Sequence, residues 1–175
     1  MTEIAVHLLR ENDWDTYRQI RLRALAMSPE AFVSTVEEEE QFEEPLWRAR
    51  MVRAARFVSM DGERPVGVLS VRTTPPSETG QEFDEQIANG AELFGLWVEP
   101  GMRGHGIPEQ LVDAAARRAR DHGLKHLVYW VSIDNGPAVG FASGYGFRPT
   151  DTRRPARVGG EDDTVEAAML FPLAL

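Results

Sequence analysis

Apolar and polar residues alternate over residues 4–10, the period of a half-buried strand. Over 13–27 the spacing lengthens. Trp14, Tyr17, Ile20, Leu22 and Leu25 recur near every 3.6 residues and predict a helix, with Asn12 or Asp13 as its cap. Ser28-Pro29 ends it, because the residue before a proline is pushed out of the helical region. A second helix is predicted within 38–54, with Pro45 marking its start just after Glu44. Residues 56–60 and 65–73 read as strands joined at Asp61-Gly62, a hairpin signal. Residues 74–90 form a polar loop. The stretch 91–98 is apolar nearly throughout, as a central strand buried on both faces should be. A helix over 109–122 stops at Gly123. A strand over 126–133, a short helix over 137–143, and strands over 146–152 and 164–170 complete the chain.

The order β-α-α-β-β-β-α-β-α-β-β predicts one α/β domain over 1–175, a mixed, mostly antiparallel central sheet flanked by helices. The strand–helix–strand unit over 91–133 should be parallel, and the last two strands antiparallel. No apolar run reaches the roughly 18 residues of a membrane span. Residues 1–10 lack the basic-then-apolar pattern of a signal peptide. With no Cys there is neither disulfide nor thiolate chemistry, and the expected location is cytoplasmic.

The net charge of −9 argues against nucleic acid as a partner, since phosphate backbones need clustered Lys and Arg. The acid is uneven: Glu37 to Glu40 with Glu43 and Glu44 form one cluster, and Glu78, Glu82, Asp84 and Glu85 another. These read as a solvated face and loop, or as a field that attracts a cationic substrate. No metal site is predicted. His122 and His126 are four apart, but Gly123 between them ends the helix.

The stretch that changes the picture most is Arg103-Gly104-His105-Gly106-Ile107-Pro108. It joins a buried strand to a helix through glycines. Such a turn points backbone N–H groups at one spot, where the helix dipole adds positive potential. It lacks the Gly-Lys-Ser/Thr ending of a P-loop and the third glycine of the dinucleotide fingerprint. By itself it is either an anion cradle or a tight turn that needs glycine.

Residues 93–100 followed by Arg103-Gly104-His105-Gly106-Ile107 resemble motif A of the GNAT superfamily of N-acetyltransferases. Asn135-x-x-Ala138-x-x-Phe141 with Gly146-Phe147 resembles that family's Asn-x-x-Ala…Gly-Phe segment, and Glu166-x-x-Met169 its last strand. The element order is similar over most of the chain. The resemblance implies an acetyl-CoA site. The carrier would lie along Leu96, Trp97 and Val98, like an added strand. Its pyrophosphate would rest on the turn from Arg103 to Pro108, and its pantetheine arm would meet Asn135, Ala138 and Phe141. Asn135 is equally placed to cap a helix.

Two positions depart from the family pattern. Seven residues after Asn135, where relatives carry a tyrosine that protonates the leaving thiolate, stands Ala142. A positioned acid contributes roughly 10²–10⁴ in rate, although a thiol of pKa near ~8.5 leaves tolerably without one. Tyr145 is either a displaced acid or an aromatic packed under the sheet. Pro108 fits a first helical turn but removes an N–H whose bond to a charged group is worth roughly 1.5–3 kcal/mol. Glu92 opens the strand that leads to the acetyl site and is the candidate base; otherwise it is a solvated strand end. Phe32, Ser34 and Glu37 lie where the resemblance implies the acceptor wall.

The expected activity is acetyl transfer from acetyl-CoA to a small cationic primary amine, by direct attack. Acetylation of proteins or peptides is one alternative, and acyl-CoA binding with weak chemistry is another. Pairing of two chains along a sheet edge or helix face is a further expectation, carried by no particular residue.

Overall fold

The computed structural model describes residues 3–73, 87, 89–102, 104–155 and 165–173. Its strands are β1 (Ile4–Leu8), β2 (Ala55–Asp61), β3 (Arg64–Arg72), β4 (Ala91–Val98), β5 (His126–Ser132), β6 (Arg148–Pro155) and β7 (Val165–Pro172). The helices are α1 (Trp14–Met27), α2 (Val36–Glu39), α3 (Glu44–Arg53), α4 (Ile107–Asp121) and α5 (Gly136–Tyr145). The strands form a seven-stranded mixed sheet, the predicted class. The chain divides into two compact units: Met1–Val71 with Gly95–Ala115, and Arg72–Phe94 with Ala116–Leu175. None of the described helices is long and apolar enough to cross a membrane.

In the first unit β1, β2 and β3 pair antiparallel, and the hairpin turns at Gly62, whose φ of 64° needs glycine. Helix α1 turns Tyr17, Ile20 and Ala24 inward at helical spacing. They meet Trp47 and Met51 of α3, Val58 of β2, Val68 of β3 and Trp97 of β4. Tyr17 and Trp47 pack edge to face at 5.9 Å, and the Trp47 indole donates to the Phe42 carbonyl at 3.1 Å.

In the second unit β4 pairs parallel to β5 from Ala91/Leu127 to Leu93/Tyr129, and β5, β7 and β6 are antiparallel neighbours. One face of β5 and β7 presents Val128, Trp130, Ala168 and Leu170, covered by Ile87. Tyr129 points the other way and meets Phe147 at 6.0 Å. An apolar strand with both faces covered explains the unbroken buried run from Leu127 to Val131.

Several local expectations change. Asp13 precedes α1 but does not cap it. Its carboxylate accepts from the Arg10 N–H at 2.8 Å and closes a 3₁₀ turn instead. The helix predicted within 38–54 is α3, which starts at Glu44-Pro45 as expected, and a short helix that was not predicted, α2, precedes it. Helix α4 begins at Ile107 rather than 109, because Pro108 has the right φ for a first turn and needs no N–H acceptor there. Helix α5 is longer than predicted and ends at Gly146, whose φ is 126°. Most of the loop over 74–90, including its acidic residues 78–85, lies outside the described residues.

Candidate active site

The glycine turn is built on a fixed strand end. After β4, Glu99 is buried and accepts from Arg64 through both oxygens, one bond being 2.6 Å, while its N–H bonds the Val66 carbonyl at 2.9 Å. The Arg64 guanidinium holds the Glu99 carboxyl below its ordinary pKa. A 3₁₀ turn, Pro100–Met102, follows. Gly104 and Gly106 then take left-handed φ values of 83° and 69°, open only to glycine at low cost.

Ile107 and Leu111 are fully buried behind this turn. They seat on Gly67 of β3, where a Cβ would lie 3.0 Å from Ile107 Cγ2 and 3.3 Å from Leu111 Cδ1. A glycine on the strand next to β4 therefore sets how closely the turn backs onto the sheet. Gly104, His105 and Gly106 face solvent. The first α-helical bond runs from the Gln110 N–H to the Gly106 carbonyl at 3.1 Å. The amides of Ile107 and Glu109 precede it and have no intrahelical acceptor, and Pro108 offers none. Arg103 lies outside the described residues.

Of the expected carrier strand, Leu96 and Val98 are half-buried. Trp97 is buried, its indole donating to Ser28 Oγ at 2.9 Å, so its side chain is already engaged. Gly95 has a φ of 66° in the middle of β4 and breaks the regular strand geometry there.

In the second unit Asn135 caps α5, its Oδ1 accepting from the Ala138 N–H at 3.2 Å. Phe141 and Tyr145 lie on that helix with rings 6.3 Å apart. Tyr145 also packs on Phe147 at 5.7 Å and Phe171 at 5.1 Å, which is the packed-aromatic arrangement. Ala142 is fully buried, and its carbonyl accepts from Gly146 and Phe147.

Glu92 is not a solvated strand end. It is buried, with Oε1 3.2 Å from Arg154 Nη2 and Oε2 3.4 Å from Arg72 Nη1. Arg154 also donates from Nε to Glu166 Oε1 at 3.0 Å and lies 4.1 Å over the Trp130 ring. Burial raises the Glu166 carboxyl, Arg154 pulls it back, and the charge of Glu92 adds to the rise, so the net shift is upward. Nothing in the sequence by itself assigns a role to Arg72, Arg154 or Trp130, and Glu166 stands out only through the family resemblance. The alternation of Arg154 with its neighbours on a strand was the available signal, but the predicted strand stopped at 152.

Of the expected acceptor wall, Phe32 packs on the first unit's core beneath the Arg21 guanidinium, 4.8 Å from the ring centre. Ser34 Oγ donates to Glu38 at 3.3 Å, Thr35 caps α2, and Glu37 is exposed. The reading of Glu37 to Glu40 as one solvated face is corrected at Glu39. That residue turns inward and is bound by Arg21 at 2.8 Å and Arg50 at 2.7 Å.

Comparison with known proteins shows the family and the fold. A mycothiol acetyltransferase from Geodermatophilus obscurus is 29% identical over 135 residues, covering 77% of this chain and 41% of that protein. A mycothiol acetyltransferase from Catenulispora acidiphila is 26% identical over 147 residues, covering 83% and 42%. The chain thus spans about two fifths of the length of these curated relatives. The PaiA N-acetyltransferase of Thermoplasma acidophilum, solved in complex with coenzyme A, shares the fold with a TM-score of 0.69. It is 16% identical, with 97% of this chain and 99% of that one covered. The pattern that defines the acetyltransferase (GNAT) family matches residues 11–147, and the chain belongs to that family.

Proposed function

We propose that the protein transfers the acetyl group of acetyl-CoA to the primary amine of a small molecule, and that residues 1–175 form one acyltransferase domain. The observation that carries this reading is the solvent-facing glycine turn. Its two left-handed glycines and the unbonded first-turn amides of α4 aim donors outward, as a pyrophosphate requires. The backbone of Leu96, Trp97 and Val98 would hold the pantetheine arm, and Asn135, Ala138 and Phe141 are proposed to line it. Bound there, acetyl-CoA supplies an activated thioester. The chain's own part is to fix the carrier, orient the amine and remove its proton. His105, within the turn, is proposed to add a side chain for a phosphate oxygen. Phe32, Ser34 and Glu37 are proposed to face the acceptor.

Isothermal titration with acetyl-CoA tests the first step, and absence of binding would overturn the proposal. Thiol release is then measured with a polyamine, an aminoglycoside, the amine that acetylation converts to mycothiol, and an N-terminal peptide. Turnover of the peptide alone would move the acceptor to protein.

A second reading, acyl-CoA binding with slow chemistry, is favoured by Ala142 standing where the family's tyrosine is found. The obvious test is Ala142→Tyr, but Ala142 is fully buried. Forcing in a phenol is expected to cost about 1–3 kcal/mol or more in stability through overpacking, with no gain in rate. Chemical denaturation and initial rates would check this. A faster enzyme of unchanged stability would favour the second reading.

A further inference from the structure

The two carboxylates that share Arg154 differ in how their oxygens are used. Glu92 has both engaged, Oε1 by Arg154 and Oε2 by Arg72. Glu166 uses only Oε1, on Arg154 Nε, and its Oε2 has no partner among the described residues. Its side chain is also the more open, 21% exposed against 10% for Glu92. The Arg154 guanidinium is itself fixed on three sides, by Glu92, by Glu166 and by the face of Trp130. This arrangement holds one carboxylate oxygen of Glu166 in a set direction and leaves it available.

Resting on the acetyl-transfer reading above, we infer that Glu166 takes the proton from the acceptor's ammonium group and that Arg154 is the positioning residue that aims it. Glu92, the base expected from sequence, instead anchors Arg154. In the step, an ammonium N–H gives its proton to Glu166 Oε2. The freed nitrogen pair attacks the thioester carbon, so the C–N bond forms and the C–S bond breaks with its electron pair going to sulfur. A second nitrogen proton ends on that sulfur, and Glu166 returns its own to water.

The charged surroundings suit this task. Glu166 meets Arg154 from β6 and the charge of Glu92 from β4, with Arg72 beyond it. Tyr129 on β5 stays neutral, since burial and then Glu166 push its hydroxyl up to about 12. Burial and Glu92 outweigh Arg154 and place the Glu166 carboxyl above its ordinary range, closer to the pH at which a base works best.

The test uses the whole chain and the amine with the fastest turnover in the panel above. Glu166→Gln is expected to lower kcat/KM by about 10²–10⁴-fold and to abolish the acid limb of its pH profile, with the KM for acetyl-CoA unchanged. Carbon-13 carboxyl NMR of the acceptor-free protein should show the resonance lost in Glu166→Gln titrating above the ordinary glutamate range. Its midpoint should fall in Glu92→Gln. An acid limb kept in Glu166→Gln, or a Glu166 midpoint at or below the ordinary range, overturns the inference and leaves acetyl transfer standing. A wild-type protein without turnover on any amine overturns acetyl transfer to amines, and this role falls with it.

Discussion

Glu39→Ala is expected to lower stability by about 3 kcal/mol, the largest loss from any single acidic residue in the first unit. Glu39 on α2 is buried and bound by Arg21 of α1 through two bonds, 3.0 and 2.8 Å, and by Arg50 of α3 at 2.7 Å. One carboxylate therefore ties three helices. Its removal leaves two guanidiniums of like charge with their counter-ion gone. Breaking a buried pair costs roughly 3–5 kcal/mol, and the low end applies because the two arginine side chains keep 15% and 17% of their surface exposed. The melting temperature should fall by roughly 6–12 °C. Glu37→Ala, at an exposed position, should stay within about 0.5 kcal/mol. Calorimetry on the two variants separates the inward residue from its outward neighbour. Equal melting temperatures would mean that the triad does not hold the helices.

The same site sets a pH dependence. Burial alone would raise the Glu39 carboxyl, but Arg21 and then Arg50 overcome this and hold it at about 2, against an ordinary 4.5. A group whose folded pKa is depressed adds stability above its unfolded pKa and loses it as pH falls through the folded one. The contribution of Glu39 should therefore be complete above pH 4.5 and disappear towards about 2. In Glu39→Gln that part of the acid sensitivity should be missing, measured as the difference in melting temperature across this window.

Gly106→Val is expected to weaken acetyl-CoA binding by about 10²-fold or more while leaving most of the fold intact. Gly106 stands at φ 69°, and a side chain there costs roughly 1–2 kcal/mol, more when β-branched. The turn relieves that strain by moving its backbone, and the amides of Gly106 and Ile107 then lose their aim. Each hydrogen bond to a charged phosphate is worth roughly 1.5–3 kcal/mol, so two lost bonds reach the expected factor. Pro108 sharpens the effect, since the turn already has one donor fewer to share the load. Titration calorimetry with acetyl-CoA reads the affinity, and unchanged affinity would remove this turn from the cofactor site.

The hairpin at Asp61-Gly62, the start of α3 at Pro45 and the stop of α4 at Gly123 rest on one or two residues with narrow backbone preferences, and each was legible. The α5 helix was only partly so. Its sequence includes Gly136, Gly140 and Gly144, which disfavour a helix by about 1 kcal/mol each relative to alanine. It extends to Tyr145 because the Tyr145 ring packs with Phe147 and with Phe171 of β7, a contact distant in sequence. Glu37 to Glu40 look alike as letters, and only the helix phase of α2 turns the third of them toward Arg21 and Arg50.

By itself the sequence determined the class of fold, the order of its strands and the glycine turn that marks the family. Local backbone preferences and hydrophobic period suffice for those. Which charges face each other was decided by the tertiary structure. Arg72, Glu92, Arg154 and Glu166 are spread over more than ninety positions of the chain, yet four strands bring them within ion-pair distance. A carboxylate's role depends on how many of its oxygens are already engaged, and that count exists only once the sheet has formed.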